Sequence, residues 1–258
     1  MTFNQQPITD NKNLMRPNPM EQDGPSGVLL IDKAPDMTSH DVVAIARRAL
    51  NTKKIGHCGT LDPMATGLLM LVIGRATKIQ DLLMSEDKQY QGTITLGSST
   101  STQDRQGEVL ETKPVPAFTL AEIQQVCDGF VGPFEQMPPM VSAIKKDGVP
   151  LYKLARKGLT IERDLRPVHI TSYEITRLEL PEIDFTVNCS KGFYVRTYAH
   201  DIGERLGCGG HLSALRRTRS GKFTLDRAVP VADLKTTPRE ALLKAMISLA
   251  EISLMRGA

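Results

Sequence analysis

Two short apolar runs constrain the fold of this chain more than any other feature. Residues 27–32 (GVLLID) and 68–73 (LLMLVI) each have the length of a single strand, and the second contains no polar residue at all. Continuous apolar strands are typical of sheets that are covered on both faces. We therefore predict that both runs form buried strands.

Helical signals alternate with these strand signals. Thr38 and Asp41 form a capping-box pattern ahead of an apolar stripe at helical spacing. Similar stripes predict helices over residues 120–130 and 195–206. Strand-like runs occupy residues 91–96 and several stretches between 168 and 189, whereas the polar residues 98–107 predict a mobile loop. The alternation predicts a mixed α/β (α+β) fold with substantial antiparallel sheet.

The ends of the chain differ in composition from its middle. Residues 1–26 are rich in Asn, Gln, Pro and Asp, which predicts a disordered N-terminal tail. We expect one domain over residues 27–225 and a short C-terminal segment over 226–258, most of it a single helix at 238–254. Because no apolar run suits a membrane span or a signal peptide, we expect a cytoplasmic protein.

Charge and cysteine usage narrow the function only a little. The net charge is +3, but basic residues outnumber acidic ones in stretches 145–166 and 196–222, which fits either a nucleic-acid surface or solvated faces. The four cysteines are far apart and predict free thiols. Four residues could be combined into an incomplete zinc pattern, but a structural zinc needs four converging ligands, so we predict no metal: His57, Cys58, Cys208 and His211.

One carboxylate stands out in the loop that precedes the second apolar run. Asp62 is followed by Pro63, which restricts the backbone directly after it. Gly59 and Gly67 flank the loop and allow the chain to turn before and after this segment. A carboxylate that is held but reachable suits catalysis. The same pattern also fits an aspartate that only caps its own turn, and the residues alone leave both interpretations open.

The whole phrase GHCGTLDPMATG at residues 56–67 resembles the signature of the tRNA pseudouridine synthase B family, whose members make pseudouridine-55 in tRNA. The resemblance extends over about residues 27–223 and is far more specific than a single motif. Its further segments are DKAPDMTS (32–39), Lys88 with Tyr90, QMPP (136–139), SKGFYVRT (190–197) and LRRT (215–218).

The resemblance implies a pseudouridine synthase fold, with a mixed, mainly antiparallel central sheet, flanking helices and a catalytic cleft across its middle. Residues 27–225 would then be the catalytic domain. It also implies isomerisation of one uridine in the T loop of tRNA, without a metal or organic cofactor, a membrane or an obligatory protein partner. The full C-terminal RNA-binding domain of many bacterial relatives would be absent, because little sequence follows Phe223.

Three catalytic roles follow from the resemblance. Asp62 matches the family's nucleophile, and Arg196 matches the arginine that pairs with it. Tyr90 matches the tyrosine that stacks on the target uracil and helps to remove its C5 proton. A bidentate guanidinium suits the aiming of a carboxylate.

Four further residues match positions that bind the substrate. The target base has to be flipped out of the folded loop, and His57 matches the residue that fills the space left behind. Tyr194 and Leu215 match residues that line the uridine pocket. Lys33, like Lys145 and Lys191, would face phosphate or support the cleft.

Two other functions compete with this interpretation. A tRNA-binding folding factor with secondary catalysis would also flip and refold a T loop, although Asp62, Tyr90 and Arg196 together favour an enzyme. A glycosidase-like hydrolase could use a carboxylate beside a ribose to release the free base. Conversion of uridine without a change in mass would exclude hydrolysis.

Overall fold

The computed structural model describes residues 24–257. The tail predicted for residues 1–26 therefore lies outside the described residues, except for its last three. No helix within residues 24–257 has both the length and the apolar character needed to cross a membrane. Over this range the helices are α1 (Ser39–Ala49), α2 (Gln80–Met84), α3 (Leu120–Asp128), α4 (Leu151–Ala155), α5 (Val195–Arg205), α6 (Arg239–Ala245) and α7 (Leu249–Arg256), with short 3-10 helices at Gly74–Ile79, Leu225–Arg227 and Val231–Lys235.

Ten strands of the described chain form one sheet. The order is β14-β1-β3-β12-β4-β11-β10-β7, with β2 beside β3 and β13 beside β12. The β1–β14 and β3–β12 pairs are parallel and the other pairs of this sheet are antiparallel, which confirms the predicted mixed, mainly antiparallel sheet with flanking helices. The strands are β1 (Gly27–Lys33), β2 (Ile55–Cys58), β3 (Thr66–Ile73), β4 (Lys88–Leu96), β5 (Ser98–Thr100), β6 (Val109–Thr112), β7 (Gly132–Gln136), β8 (Lys145–Lys146), β9 (Val149–Pro150), β10 (Arg166–Glu179), β11 (Glu182–Cys189), β12 (Gly210–Ser220), β13 (Phe223–Thr224) and β14 (Val229–Pro230).

The two apolar runs are adjacent strands that are buried on both faces. β1 and β3 pair antiparallel, with Leu29 opposite Leu71 and Leu30 opposite Met70. Leu29 and Leu71 belong to the larger hydrophobic cluster on one face, whereas Leu30 and Met70 belong to a second cluster on the other. Side chains of a strand alternate between faces, so covering both faces requires an apolar residue at every position. The prediction from the two runs is confirmed.

Helix α1 begins at the predicted capping box. The Thr38 hydroxyl accepts a hydrogen bond from the Asp41 amide at 3.1 Å, and the Asp41 carboxylate accepts one from the Thr38 amide at 2.8 Å. Val42 and Ala46 face the sheet and are fully buried. The buried Ser39 in the first turn is thereby brought next to the loop that carries Asp62.

The polar stretch at 98–107 is more ordered in structure than predicted. Ser98–Thr100 forms β5, which pairs with β6, and Asp104 is only 4% exposed. Its hydrogen bonds join side chains to nearby groups: the Thr100 hydroxyl donates to the Asp104 carbonyl, and the Thr102 hydroxyl to the Asp104 carboxylate. Such bonds leave no hydrophobic periodicity in the sequence.

The prediction of one helix at 238–254 is wrong. α6 ends at Ala245 and α7 begins at Leu249, and between them the Ile247 amide and carbonyl both bond to Val28 on β1. The backbone of Ile247 thus satisfies the amide and carbonyl of Val28 near the edge of the sheet. This long-range pairing overrides the local helical pattern.

A close contact between β3 and β12 requires a glycine at position 67. Gly67 has φ of +93°, and a Cβ there would lie 2.3 Å from the Arg217 carbonyl oxygen and 2.9 Å from the Arg217 amide nitrogen. Gly132 has a similar φ of +102°, but a Cβ there would meet nothing within 4 Å. The two glycines share backbone conformation and differ in the space around them.

We expect Gly67→Ala to lower the free energy of unfolding more than Gly132→Ala does. Both should lose about 1–2 kcal/mol from the positive φ, and Gly67→Ala should lose a further ~1–3 kcal/mol because β12 must move. Urea unfolding of the two variants measures the difference. Equal losses would show that the β3–β12 contact relaxes freely.

Candidate active site

Asp62 is bound by a buried arginine from a distant part of the chain. Arg196 Nε donates to Asp62 Oδ2 at 2.7 Å, and Nη2 donates to Oδ1 at 3.2 Å. The Arg196 side chain is 3% exposed, whereas that of Asp62 is 33% exposed. A two-point contact fixes both the position and the plane of the carboxylate. The Asp62 carboxylate is therefore fixed by a buried partner and remains partly exposed.

The other contacts of Arg196 join two further segments to the site. Nη1 donates to the Thr102 carbonyl at 2.8 Å, and Nη2 donates to the Val141 carbonyl at 2.9 Å. Asp104 Oδ2 lies 3.6 Å from Nε, so the guanidinium lies between two carboxylates. Sequence reasoning missed Asp104, because an aspartate in a polar stretch is the ordinary composition of a loop.

The loop around Asp62 is supported from below by two buried polar side chains. Ser39 Oγ accepts from the Leu61 amide at 2.9 Å and donates to the Leu61 carbonyl at 3.1 Å. Lys33 Nζ donates to the carbonyls of Pro63 at 3.1 Å and Ala65 at 2.6 Å. These bonds fix the backbone immediately before and after Asp62.

Lys33 lies beneath this loop and is 1% exposed. Burial lowers the pKa of Lys33 to about 8, while the Asp62 carboxylate opposes that shift. Its hydrogen bonds support the loop in this structure, and its role in substrate binding stays a prediction. Lys145 and Lys191 are both exposed.

Tyr90 reaches the same site from the middle of the sheet. Its strand, β4, lies between β11 and β12, and the Tyr90 side chain is largely buried. Burial raises the pKa of Tyr90, and the nearby Arg217 guanidinium opposes that increase. Sequence reasoning gave Arg217 no role, although it lies in the LRRT segment.

A cavity of about 390 Å³ brings together five of the predicted site residues. This volume lies in the range of small-molecule sites, roughly 300–1,000 Å³. The loop, the sheet and the start of α5 each contribute to its wall. The five residues are Asp62, Tyr90, Tyr194, Arg196 and Leu215.

Tyr194 and Leu215 are fixed by backbone contacts. The Tyr194 amide donates to Gln136 Oε1 at 2.8 Å, and Gln136 Nε2 donates to the Tyr194 carbonyl at 3.1 Å. Leu215 lies on β12 opposite Gly92 on β4. A Cβ at Gly92 would lie 2.8 Å from both the Ala214 carbonyl oxygen and Phe185 Cζ, so the glycine lets these groups pack closely beside Leu215.

A second cavity, of about 680 Å³, lies on the other side of Asp62. Its wall includes the start of α1 with His40, the Asp62 loop and residues from 140 to 160. Asp62 and Val141 line both cavities, so the carboxylate stands where they meet.

His57 is not among the residues that line either cavity. It lies on β2, half-buried, with its ring edge-to-face against His40 at 5.2 Å between centroids. Burial, with smaller contributions from His40 and Arg217, lowers the pKa of His57 to about 4. The ring is thus neutral at pH 7. The base-replacing role of His57 stays a prediction.

The basic stretch at 196–222 is not a simple surface. Arg196 and Arg217 are buried, and Arg216 forms a bidentate pair with Asp32 at 2.9 and 2.7 Å. A count of charges in the sequence cannot distinguish solvated arginines from arginines that bind the chain itself. The exposed basic side chains are more numerous between 145 and 166.

Comparison with protein families identifies the kind of enzyme to which this site belongs. A model described as the TruB family pseudouridylate synthase N-terminal domain matches residues 47–195. A model of the tRNA pseudouridylate synthase B C-terminal domain matches residues 196–254. The chain belongs to the TruB family of pseudouridylate synthases.

Curated relatives agree with the family match. The chain is 57% identical over 221 residues to the tRNA pseudouridine synthase B of Opitutus terrae, covering 86% of this chain and 92% of that protein. It is 46% identical to the tRNA pseudouridine synthase B of Syntrophotalea carbinolica, covering 88% and 74% respectively. The TruB family is a family of isomerases, so the chain is an enzyme of that class.

Solved structures show the same fold. A chain of a Cbf5-Nop10-Gar1 complex superposes with a TM-score of 0.70 at 31% identity, over 92% of this chain and 64% of that chain. A chain of an H/ACA RNP bound to a substrate RNA containing 2′-deoxyuridine gives a TM-score of 0.67 at 28% identity and the same coverages. The chain therefore spans slightly less than two thirds of those chains, and the pseudouridine synthase fold is confirmed.

The second TruB match bears on how the chain is divided. It begins at Arg196 and so includes α5 and β12, which lie inside the large sheet domain, together with α6 and most of α7. The proposed boundary near residue 225, and the absence of a full C-terminal RNA-binding domain, stay predictions.

We expect Ser39→Ala to destabilise this loop, because the Leu61 amide and carbonyl lose a buried partner. A buried polar group left unpaired costs about 1–3 kcal/mol. Urea unfolding should show this loss, and the Leu61 amide should exchange its proton faster. Ser85→Ala removes an exposed hydroxyl bond to the Leu82 carbonyl and should cost less than ~0.5 kcal/mol. A Ser39→Ala loss as small as this control would contradict the supporting role.

Proposed function

We propose that this enzyme converts the uridine at position 55 in the T loop of tRNA into pseudouridine, with Asp62 as the catalytic carboxylate. The observation that carries the proposal is the bidentate Arg196–Asp62 contact in a cavity that Tyr90 also lines. The names of the curated relatives, tRNA pseudouridine synthase B, support tRNA as the substrate. The cytoplasm is then the expected location.

The reaction rearranges bonds without adding or losing atoms. The bond between N1 of uracil and C1′ of ribose breaks, the uracil turns, and C5 bonds to C1′ while the C5 proton moves to solvent and N1 gains one. A fixed carboxylate can attack C1′ or C6, or stabilise positive charge on the ribose. Each route requires an oxygen of Asp62 that is free toward the cavity, which fits its partial exposure.

Arg196 and Tyr90 have complementary roles in this proposal. Arg196 fixes the carboxylate by two hydrogen bonds, which a point-charge ammonium could not reproduce. The Tyr90 ring stacks on the uracil and keeps it in the cavity after the glycosidic bond breaks. The Tyr90 hydroxyl helps to transfer the C5 proton.

The two cavities that meet at Asp62 suit an RNA loop with one extruded base. A base inside a folded loop is unreachable, so the target uridine must enter the smaller cavity in a flipped conformation. The larger cavity then faces the neighbouring nucleotides. Exposed basic residues between 145 and 166 lie close by and would contact phosphates.

Asp62→Asn should abolish turnover and leave tRNA affinity within about threefold of the parent, because affinity comes mainly from phosphate and stacking contacts. Pseudouridine is mapped by position in unmodified tRNA, and affinity is measured by filter binding. Asp226→Asn, which changes an exposed carboxylate far along the chain, is the matched control and should keep full turnover. Residual activity of Asp62→Asn within tenfold of the parent would show that Asp62 is not the nucleophile.

The product of the same assay separates the competing functions. An isomerase leaves the mass of the RNA unchanged, whereas a hydrolase releases free uracil and leaves an abasic site. A folding factor would bind and refold tRNA in both the parent and Asp62→Asn, with no stoichiometric conversion by either.

A T-arm hairpin should be nearly as good a substrate as whole tRNA, because the residues proposed to act all lie around one cleft. The measurement is kcat/KM for both RNAs at one fixed salt concentration, since phosphate contacts make affinity salt-dependent. A hairpin poorer by about a hundredfold, equivalent to roughly 2.7 kcal/mol, would show that contacts outside the T arm are essential.

A further inference from the structure

Arg217 on β12 contacts the loop of Asp62 near both of its ends. Its side chain is 1% exposed. Nη2 donates to the Gly59 carbonyl at 3.0 Å, and Nε donates to the Leu68 carbonyl at 2.7 Å. Gly59 comes three residues before Asp62, and Leu68 follows the last glycine of the loop. The guanidinium therefore fixes the distance between the two ends.

The backbone of Arg217 adds a second contact to the same loop. It pairs with Gly67 in the parallel β3–β12 contact. It also lies so close to Gly67 that a Cβ would overlap the Arg217 carbonyl oxygen. Gly59 has φ of +77°, and a Cβ there would lie 3.2 Å from Arg217 Nη1. The loop is thus packed against both the main chain and the side chain of Arg217.

The same residue faces Tyr90. The two are directly opposite in the antiparallel β4–β12 pair, so their side chains lie on the same face of the sheet. The charge of the guanidinium opposes the increase in pKa that burial causes at the Tyr90 phenol, and both residues line the Asp62 cavity. Cys189 on β11 and Asp62 in the loop are the other ionisable groups that act on Tyr90, and both raise its pKa.

We propose that Arg217 is a positioning residue for the isomerisation, which holds the Asp62 loop and the Tyr90 hydroxyl in one fixed relation. The inference rests on the proposed roles of Asp62 and Tyr90. Two donors of one planar group serve the Gly59 and Leu68 carbonyls, and the same guanidinium comes from the residue directly opposite Tyr90. An ammonium at the same place could not reproduce this arrangement.

The contrasting interpretation is a buried cation that only stabilises the fold. Both interpretations predict lower stability when Arg217 is changed. They differ in turnover, because a positioning residue affects the chemical step in protein that is still folded. Since Arg217 is almost fully buried, it offers little surface to phosphates, and its loss should leave tRNA affinity nearly intact.

The test compares Arg217→Met and Arg217→Lys with Arg177→Met. Arg177 on β10 is also an arginine of the large sheet with several hydrogen bonds, but it pairs with Asp184, Glu179 and Glu182 and does not line the Asp62 cavity. Thermal unfolding verifies that each variant is folded at the assay temperature. The single-turnover rate at saturating tRNA and the Kd for tRNA are then measured for each.

We expect Arg217→Met to lower the single-turnover rate about a hundredfold or more, as displacement of catalytic groups by about 1 Å can do. The Kd of Arg217→Met for tRNA should stay within about threefold of the parent. The single-turnover rate of Arg217→Lys should lie between those of the parent and of Arg217→Met. Arg177→Met should keep the parental rate. A folded Arg217→Met with a parental rate would overturn the inference, as would an equal loss in rate and affinity.

A double-mutant cycle that combines Arg217→Lys with Tyr90→Phe tests whether Arg217 acts through the Tyr90 hydroxyl. Because the cycle uses Arg217→Lys, it does not depend on whether Arg217→Met folds. If Arg217 acts partly through the Tyr90 hydroxyl, Arg217→Lys should cost much less in the Tyr90→Phe background than in the parent. Losses that simply multiply would overturn the inference. Parental rates for both Asp62→Asn and Tyr90→Phe would instead refute the proposed function, whatever Arg217 does.

Discussion

The site depends on a guanidinium that is removed from water. Burying an arginine costs several kcal/mol unless its charge and its hydrogen-bond donors are all satisfied. Arg196 meets this requirement with the Asp62 carboxylate, the nearby Asp104 carboxylate and the carbonyls of Thr102 and Val141. These partners come from three separate segments, which α5 alone could not position. The need to satisfy one buried cation therefore orders the segments around the cavity.

The Asp62 loop shows how a short irregular segment can be held as firmly as a strand. Within it, Gly59 and Gly67 adopt positive φ. Ser39 and Lys33 bond its backbone from below, and Arg217 bonds it at both ends. Catalysis by a fixed charge requires such preorganisation, because a carboxylate that moved during the reaction would lose much of its effect.

The sequence predicted those secondary-structure elements that depend on residues close together in the chain. The buried strands β1 and β3 and the capping box of α1 follow from residue patterns within a few positions. The break between α6 and α7 could not be predicted in this way, because it arises from the pairing of Ile247 with Val28, more than two hundred residues earlier.

The same distinction holds at the site. The family resemblance named five residues that the fold brings into one cavity. No local pattern marked Asp104, and the LRRT segment gave no role to Arg217. A buried charged residue looks like a surface residue in the sequence, because its partners are distant in the chain. His57 shows the converse, since it belongs to the strongest motif but lies outside the lining of the cavity.

The β3–β12 contact also determines when the site can form during synthesis. The Arg216 guanidinium and the Thr66 hydroxyl, which lie side by side there, are 150 residues apart in the chain, and Arg196 is 134 residues from Asp62. Contacts of such high sequence separation close late, since the entropy of a large loop must be overcome first. A nascent chain that ends before β12 therefore contains Asp62, Tyr90 and Arg196 but lacks Arg217, which bonds both ends of the loop. Such a chain also lacks the strand that lies between β3 and β4 in the large sheet.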